Sequence, residues 1–366
     1  MSECVTHQRS LFLTPQPSVL WEEGRTIEGY PQTPGIRLRR TAPLHAPYFV
    51  IPAEAGIQRR CCLTRATVQG IVPHATSAAI KVTIEMRMKA GFATIGNARL
   101  YYETAGKGSP LLLLHSGIAD HRMWAEQCRE FAKHFRVIVP DFRGYGKSPP
   151  PNEPFRHYRD IWGLIEYLRV ESVNVVGCSL GGKAAMELAI AHPETVDHLV
   201  LVAPVLAGHE YRDKETLAQD AILEGLIASG KSEEAADLLV DIWVVGLKRE
   251  RKTVDSGART LVRQMILENY ASVVDKYPES PPEFDMISRL GEIRAPTLVM
   301  IGDSDLPDML DISQLIAERV AGARRHVVPD AAHLPNLEHG MLFNQTVMDF
   351  LGQGITKHRA SELTDR

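Results

Sequence analysis

From about residue 93 onward, the chain alternates short apolar runs with longer amphipathic stretches. The runs Arg99–Tyr102, Pro110–Leu114, Arg136–Pro140, Val173–Gly177, His198–Val202, Thr297–Ile301 and Arg325–Val328 have the length and apolar character of strands. Most are separated by segments with helical spacing: Trp124–His134, Tyr158–Leu168, Leu180–Ala191 and Ile312–Val320. Strands alternating with helices predict an α/β fold, a mostly parallel sheet covered by helices on both faces. Strands buried on both sides read as continuous apolar runs, as these do. In such sheets ligands bind at the carboxyl ends of the strands, so the loops that follow them are where chemistry is sought.

One interval breaks the alternation. Between Val202 and Thr297 only helical material appears, over Lys214–Ser229, Ser232–Val245 and Ser256–Tyr277. Ser232 followed by Glu233 and Glu234 predicts a helix start, with a capping hydroxyl and acids facing the positive end of the dipole. The expected organisation is a core over residues 88–205 and 291–353, a helical cap over 206–290 inserted late in the sheet, and a tail over 354–366. Trp243, Met265, Leu267 and Tyr270 could line a pocket under that cap, although aromatic and Met residues at helical spacing more often form plain core.

The first 87 residues hold neither periodicity for long, and Pro15, Pro17, Pro31, Pro34, Pro43, Pro47, Pro52 and Pro73 interrupt them. A targeting extension is one reading, but Glu22, Glu23 and Glu28 spoil a transit-peptide pattern. A disordered tail is another. The third is that the segment is not native: Phe49–Gln58 resembles a translated bacterial intergenic repeat, which would place the working start near Met86 or Met88.

Charge sharpens this division. Residues 1–87 carry 10 Lys/Arg and 6 Asp/Glu, a net +4, and the remainder carries 31 and 39, a net −8. An acidic main body argues against a nucleic-acid partner. No run approaches 18 apolar residues, so neither a membrane span nor a membrane partner is expected. Cys4, Cys61, Cys62, Cys128 and Cys178 lack CxxC or metal-ligand spacing, which fits free thiols and a cytoplasmic location.

The chemistry begins at Gly177-Cys178-Ser179-Leu180-Gly181-Gly182, between an apolar strand and a helix. By chance a GxSxG string would occur about 0.1 times in a chain this long, so context carries most of its weight. A turn this sharp strains its central residue and brings strand and helix together, which the flanking glycines permit. The result exposes the Ser179 hydroxyl above the sheet. A serine needs an adjacent base, itself oriented by a third group. His333, in Pro329-Asp330-Ala331-Ala332-His333-Leu334-Pro335-Asn336 after the last strand, occupies the expected slot, whereas His326 lies within the strand. After the preceding strand, Gly302-Asp303-Ser304-Asp305 offers two carboxylates, one of which could be a turn-capping side chain.

These stretches, with Asp141-Phe142-Arg143-Gly144-Tyr145-Gly146-Lys147-Ser148, resemble the α/β-hydrolase superfamily in its motif order over roughly residues 93–352. The family pattern G-x-x-D selects Asp305. The stretch His115-Ser116-Gly117-Ile118 is similar to the family's His-Gly-x loop, nine residues before a matching Trp124, with serine in place of the usual glycine at 116. It implies that the amides of Gly117 and Leu180 form the oxyanion hole and that His115 has a structural role. A serine at the elbow argues against dehalogenases and epoxide hydrolases, which carry aspartate there. The run Ala331–Glu338 also resembles enol-lactonases. The implied activity is hydrolysis of a carboxylic ester or lactone through an acyl-enzyme, with a small-molecule ester-like substrate, water and no cofactor or metal. Carbon–carbon hydrolysis of a diketone or ring-cleavage product, or a slow-turnover small-molecule receptor, are the alternatives on the same fold.

Overall fold

The computed structural model describes residues 88–273 and 279–364, with side chains described for 88–269 and 279–352. The readings of residues 1–87 as disordered, targeting or non-native, with a start near Met86 or Met88, therefore lie outside the described residues. Eight strands form one sheet: β1 Lys89–Ile95, β2 Ala98–Ala105, β3 Pro110–Leu114, β4 Arg136–Pro140, β5 Val173–Cys178, β6 Val196–Val202, β7 Thr297–Gly302 and β8 Arg324–Val328. Their order is β1-β2-β4-β3-β5-β6-β7-β8. β2 pairs antiparallel with both β1 and β4, and every other pairing is parallel. This is the predicted α/β class.

Burial explains the strongest of the strand signals. β5 and β7 are buried at every position, and β3 and β4 at all but the first. The unpredicted strand is β1. It is an edge strand with only Ala93 buried, so it carries almost no apolar signal, and it is held through its ladder to β2.

The helices outside the long insertion are α1 Ala125–Phe131, α2 His157–Tyr167, α3 Leu180–Ala191, α8 Pro307–Arg319, α9 Pro335–Glu338 and α10 Gly340–Thr364. α1 packs with α10, where Trp124 meets Phe343, and α2 packs with α3. Between β6 and β7 run α4 Lys214–Ala228, α5 Ser232–Val240, a five-residue π-helix Asp241–Val245, α6 Ser256–Val273 and α7 Met286–Arg289. Two local expectations change here. Lys231, not Ser232, is the N-cap of α5, and no side chain bonds to that cap. The single predicted helix 232–245 is interrupted, because its last turn widens to π geometry before Gly246.

Candidate active site

β5 runs straight into the strained residue: Ser179 has φ 56° and ψ −111°, and α3 starts at Leu180. A left-handed φ at a non-glycine residue costs on the order of 1–3 kcal/mol and persists only where its surroundings enforce it. They do so here. Ser179 N–H donates to Val202 O at 2.9 Å, and Ser179 O accepts from Lys183 and Val205. A Cβ on Gly177 would lie 2.4 Å from Gly181 O, and one on Gly181 would lie 2.4 Å from Leu114 O. The two glycines of the motif are thus required by backbone contact.

Asp305 and His333 come together from the loops after β7 and β8. His333 Nδ1 lies 2.9 Å from Asp305 Oδ2, with both side chains buried. The other carboxylate oxygen accepts from Leu306 N–H at 2.8 Å, so Asp305 is held at both ends. Asp303 is exposed, and its carboxylate accepts only from the neighbouring Ser304 hydroxyl, at 2.9 Å, among the described residues. Geometry therefore separates the two aspartates that sequence left adjacent. Ser179 Oγ and His333 Nε2 are both buried without a hydrogen-bond partner among the described residues. The serine–histidine bond is not closed in this structure, and such bonds often tighten only when substrate is bound. The two loops are nonetheless adjacent: the thiol of Cys178, next to Ser179, donates to His333 O at 4.0 Å. Burial, reinforced by the charge of Asp305, raises the Cys178 pKa and keeps that thiol protonated.

The loop of Gly117 is fastened to the elbow by Gly181 N–H, which donates to His115 O at 3.1 Å. The amides of Gly117 and Leu180 thus sit on two segments bonded to each other. His115 is buried, with Nδ1 facing Ser116 O at 2.8 Å and Nε2 accepting from Phe142 N–H at 3.0 Å. Those partners fix the neutral Nδ1–H tautomer, and burial lowers its pKa, so it braces the loop. Ser116 supplies an acceptor to Ile118 N–H at 3.4 Å.

Sequence reasoning missed the polar supports, whose partners lie far apart along the chain. Arg249 pairs with Glu338 at 2.7 Å, and Glu338 accepts from Ala332 N–H at 2.7 Å, next to His333. The π-helix brings Trp243 against His333, with ring centroids 4.4 Å apart. Met265 is buried and Leu267 half-buried, while the Tyr270 side chain lies outside the described residues. Asp120, His121 and Asp141 bring three ligand-type atoms within 4.8 Å of one another. However, Asp120 is engaged by the Arg122 guanidinium, and Asp141 by the ring and amide of His121 and the amide of Lys147. The cluster is a hydrogen-bonded brace between two loops.

A family model described as alpha/beta hydrolase fold matches residues 109–340. The chain belongs to the α/β-hydrolase fold family. Among its relatives, the 2-hydroxymuconate semialdehyde hydrolase of Pseudomonas sp. strain CF600 is 31% identical over 268 residues, covering 68% of this chain and 89% of that protein. The 2-hydroxy-6-oxononadienedioate/2-hydroxy-6-oxononatrienedioate hydrolase of Paraburkholderia phymatum is 30% identical, covering 70% and 91%. The solved enol-lactonase of Burkholderia xenovorans LB400 is 26% identical with a TM-score of 0.59, covering 72% of this chain and all of that one. Membership in this α/β-hydrolase family makes the chain a hydrolase, with a small-molecule substrate and water as reactants. Among the described residues no helix is long and apolar enough to cross a membrane.

Proposed function

We propose that this α/β-hydrolase is a serine hydrolase that cleaves a carboxylic ester or lactone through an acyl-enzyme. The observation that carries the reading is the strained, buried Ser179, with its hydroxyl unbonded, beside the His333–Asp305 pair. Ser179 attacks the carbonyl carbon while His333 takes its proton, and Asp305 holds the imidazole tautomer and stabilises its charged form. The amides of Gly117 and Leu180 hold the oxyanion. The leaving oxygen departs with the proton from His333. Water then repeats the sequence on the acyl-enzyme and regenerates the serine. The helices of 206–290 act as a cap over the strand ends.

Lys183, a buried cation one turn beyond Ser179, is not a free anchor for an anionic substrate. Its ammonium is already engaged by Glu187 and Glu279, at 3.0 Å each. A second reading, carbon–carbon hydrolysis, is favoured by the names of the two relatives above. It uses the same serine and histidine on a ketone whose leaving group is carbon.

A fluorophosphonate should label Ser179, and Ser179→Ala should lower ester turnover by about 10⁴- to 10⁶-fold with the fold intact. Ester hydrolysis close to wild type in that variant ends the proposal. Comparing kcat/KM for an aryl ester, a lactone and a vinylogous diketone ranks the two readings.

A further inference from the structure

The last residues of the π-helix, Trp243, Val244 and Val245, turn their carbonyls toward the end of the helix, where intrahelical amide donors run out. Here they are satisfied from outside the helix. Trp243 O accepts the backbone N–H of His333 at 3.2 Å. Arg249 donates to Val245 O at 2.6 Å and to Val244 O at 3.0 Å, and its guanidinium also reaches Asp330 O and Glu338. The π turn is closed by Gly246 N–H, which donates to Asp241 O at 3.0 Å. Gly246 then turns with φ 81°, where a Cβ would lie 2.6 Å from Ser304 O, in the loop of Asp305.

The same residue also meets the base through its ring. Trp243 is 2% exposed, and its indole packs obliquely on the His333 imidazole, at 4.4 Å between centroids and 52° between planes. Backbone and side chain of one cap residue therefore hold the backbone and side chain of one histidine. That imidazole is otherwise fixed by its single bond to Asp305 among the described residues, leaving Nε2 unbonded.

We propose that Trp243 is a positioning residue for His333, so that the cap completes the catalytic base as well as covering the site. This rests on the reading of His333 as base. In the absence of the indole, the imidazole can rotate about its side-chain bonds, and the fraction of time Nε2 faces Ser179 falls. Small misplacements of this kind cost about 10²-fold in rate.

The test uses the full chain with Trp243→Met, Trp243→Phe and Arg249→Gln, and with Leu223→Ala in α4 as a control for lost cap packing. Two quantities are read: the rate of fluorophosphonate labelling at Ser179, and the low-field proton NMR signal of the His333–Asp305 hydrogen bond. In Trp243→Met, labelling should slow by about 10²-fold, with kcat falling and KM little changed, and the low-field signal should broaden away. Trp243→Phe, which keeps a ring there, should restore most of both. Arg249→Gln should move both in the same direction more weakly, and keeps the proposal testable should Trp243→Met not fold. Leu223→Ala should leave both alone. Wild-type labelling by Trp243→Met, or an equal loss in Leu223→Ala, overturns the proposal. Failure of the wild-type chain to label would instead reject Ser179 as nucleophile, while the proton signal would still report whether Trp243 holds the imidazole.

Discussion

Lys183, one turn beyond Ser179 on α3, pairs with Glu279, in the segment between α6 and α7, at 3.0 Å in a buried setting. Glu187 closes on the same ammonium, and Glu279 also accepts the backbone N–H of His157 at 3.2 Å. One buried cation thus ties α3, the start of α2 and the segment between α6 and α7. Removing one partner of a buried pair leaves an uncompensated charge and costs about 3–5 kcal/mol. Lys183→Met should lose about that much in urea unfolding, and adding Glu187→Gln and Glu279→Gln should recover much of it. A Lys183→Met midpoint equal to wild type would show that the pair carries no such charge.

The same cluster predicts a pH dependence. Burial pushes the Glu187 carboxyl up to about 7; Lys183 opposes that rise, Glu279 adds to it and Arg156 opposes it weakly. A raised carboxyl binds more protons folded than unfolded between its ordinary 4.5 and about 7, so its contribution to stability falls as pH rises through that window. Burial pushes the Glu279 carboxyl up, but the Lys183 ammonium and the hydrogen bonds from Lys183 and the His157 amide outweigh it and hold the group below its usual range, so its contribution is present at higher pH and lost on acidification. The stability of Glu187→Gln relative to wild type should therefore increase from pH 5 to 7. A difference that stays constant over that window would contradict the assignment.

The two aspartates after β7 give a sharp contrast. Asp305 is buried, with one oxygen on His333 and the other on Leu306 N–H, whereas Asp303 is exposed. Asp305→Asn keeps the shape but favours the wrong imidazole tautomer, and should lower kcat by about 10⁴-fold. Asp303→Asn should leave kcat and fluorophosphonate labelling unchanged. Steady-state kinetics on one aryl ester decides between them, and equal losses would reject the assignment.

What the sequence made legible followed from how physical information is written in it. The buried strands β3, β5 and β7 announce themselves as apolar runs, and the elbow glycines are dictated by contacts within a few residues or with the adjacent strand. Ser179, Asp305 and His333 became candidates because each follows a recognisable strand end, with the family resemblance choosing Asp305 over Asp303. β1 could not be found, because Lys89–Ile95 holds a glycine and only two large apolar residues, Phe92 and Ile95, whereas β8, an equally exposed edge strand, shows in its Val327-Val328 pair. The π-turn has no compositional marker, and Trp243 reads as core until its contact with His333 is seen. Lys183, Glu187 and Glu279 are ordinary surface-type residues in the sequence; only folding puts them inside. Arg249 and Glu338 are partners 89 positions apart, a separation that no local pattern encodes.

Asn269 of α6 supplies the last contrast. It is buried; its Oδ1 accepts from Gly146 N–H at 2.8 Å, and its Nδ2 donates to Ala119 O and Asp120 Oδ2 at 3.4 Å each. The loop it grips carries Gly117 two residues before Ala119, so an α6 side chain braces the loop whose amide is proposed for the oxyanion hole. Loss of a buried hydrogen-bonding side chain costs about 1–3 kcal/mol in stability. A pure stability effect would leave kcat intact below the melting transition. A positioning effect would lower kcat more than it raises KM, because oxyanion contacts strengthen in the transition state. Asn269→Ala is expected to show the second behaviour, with kcat down about 10-fold on an aryl ester at a temperature where the variant remains folded. Asn269→Asp, which keeps the acceptor for Gly146 but places a like charge beside Asp120, should be at least as impaired. Full activity in both variants would mean that the loop is held without the cap.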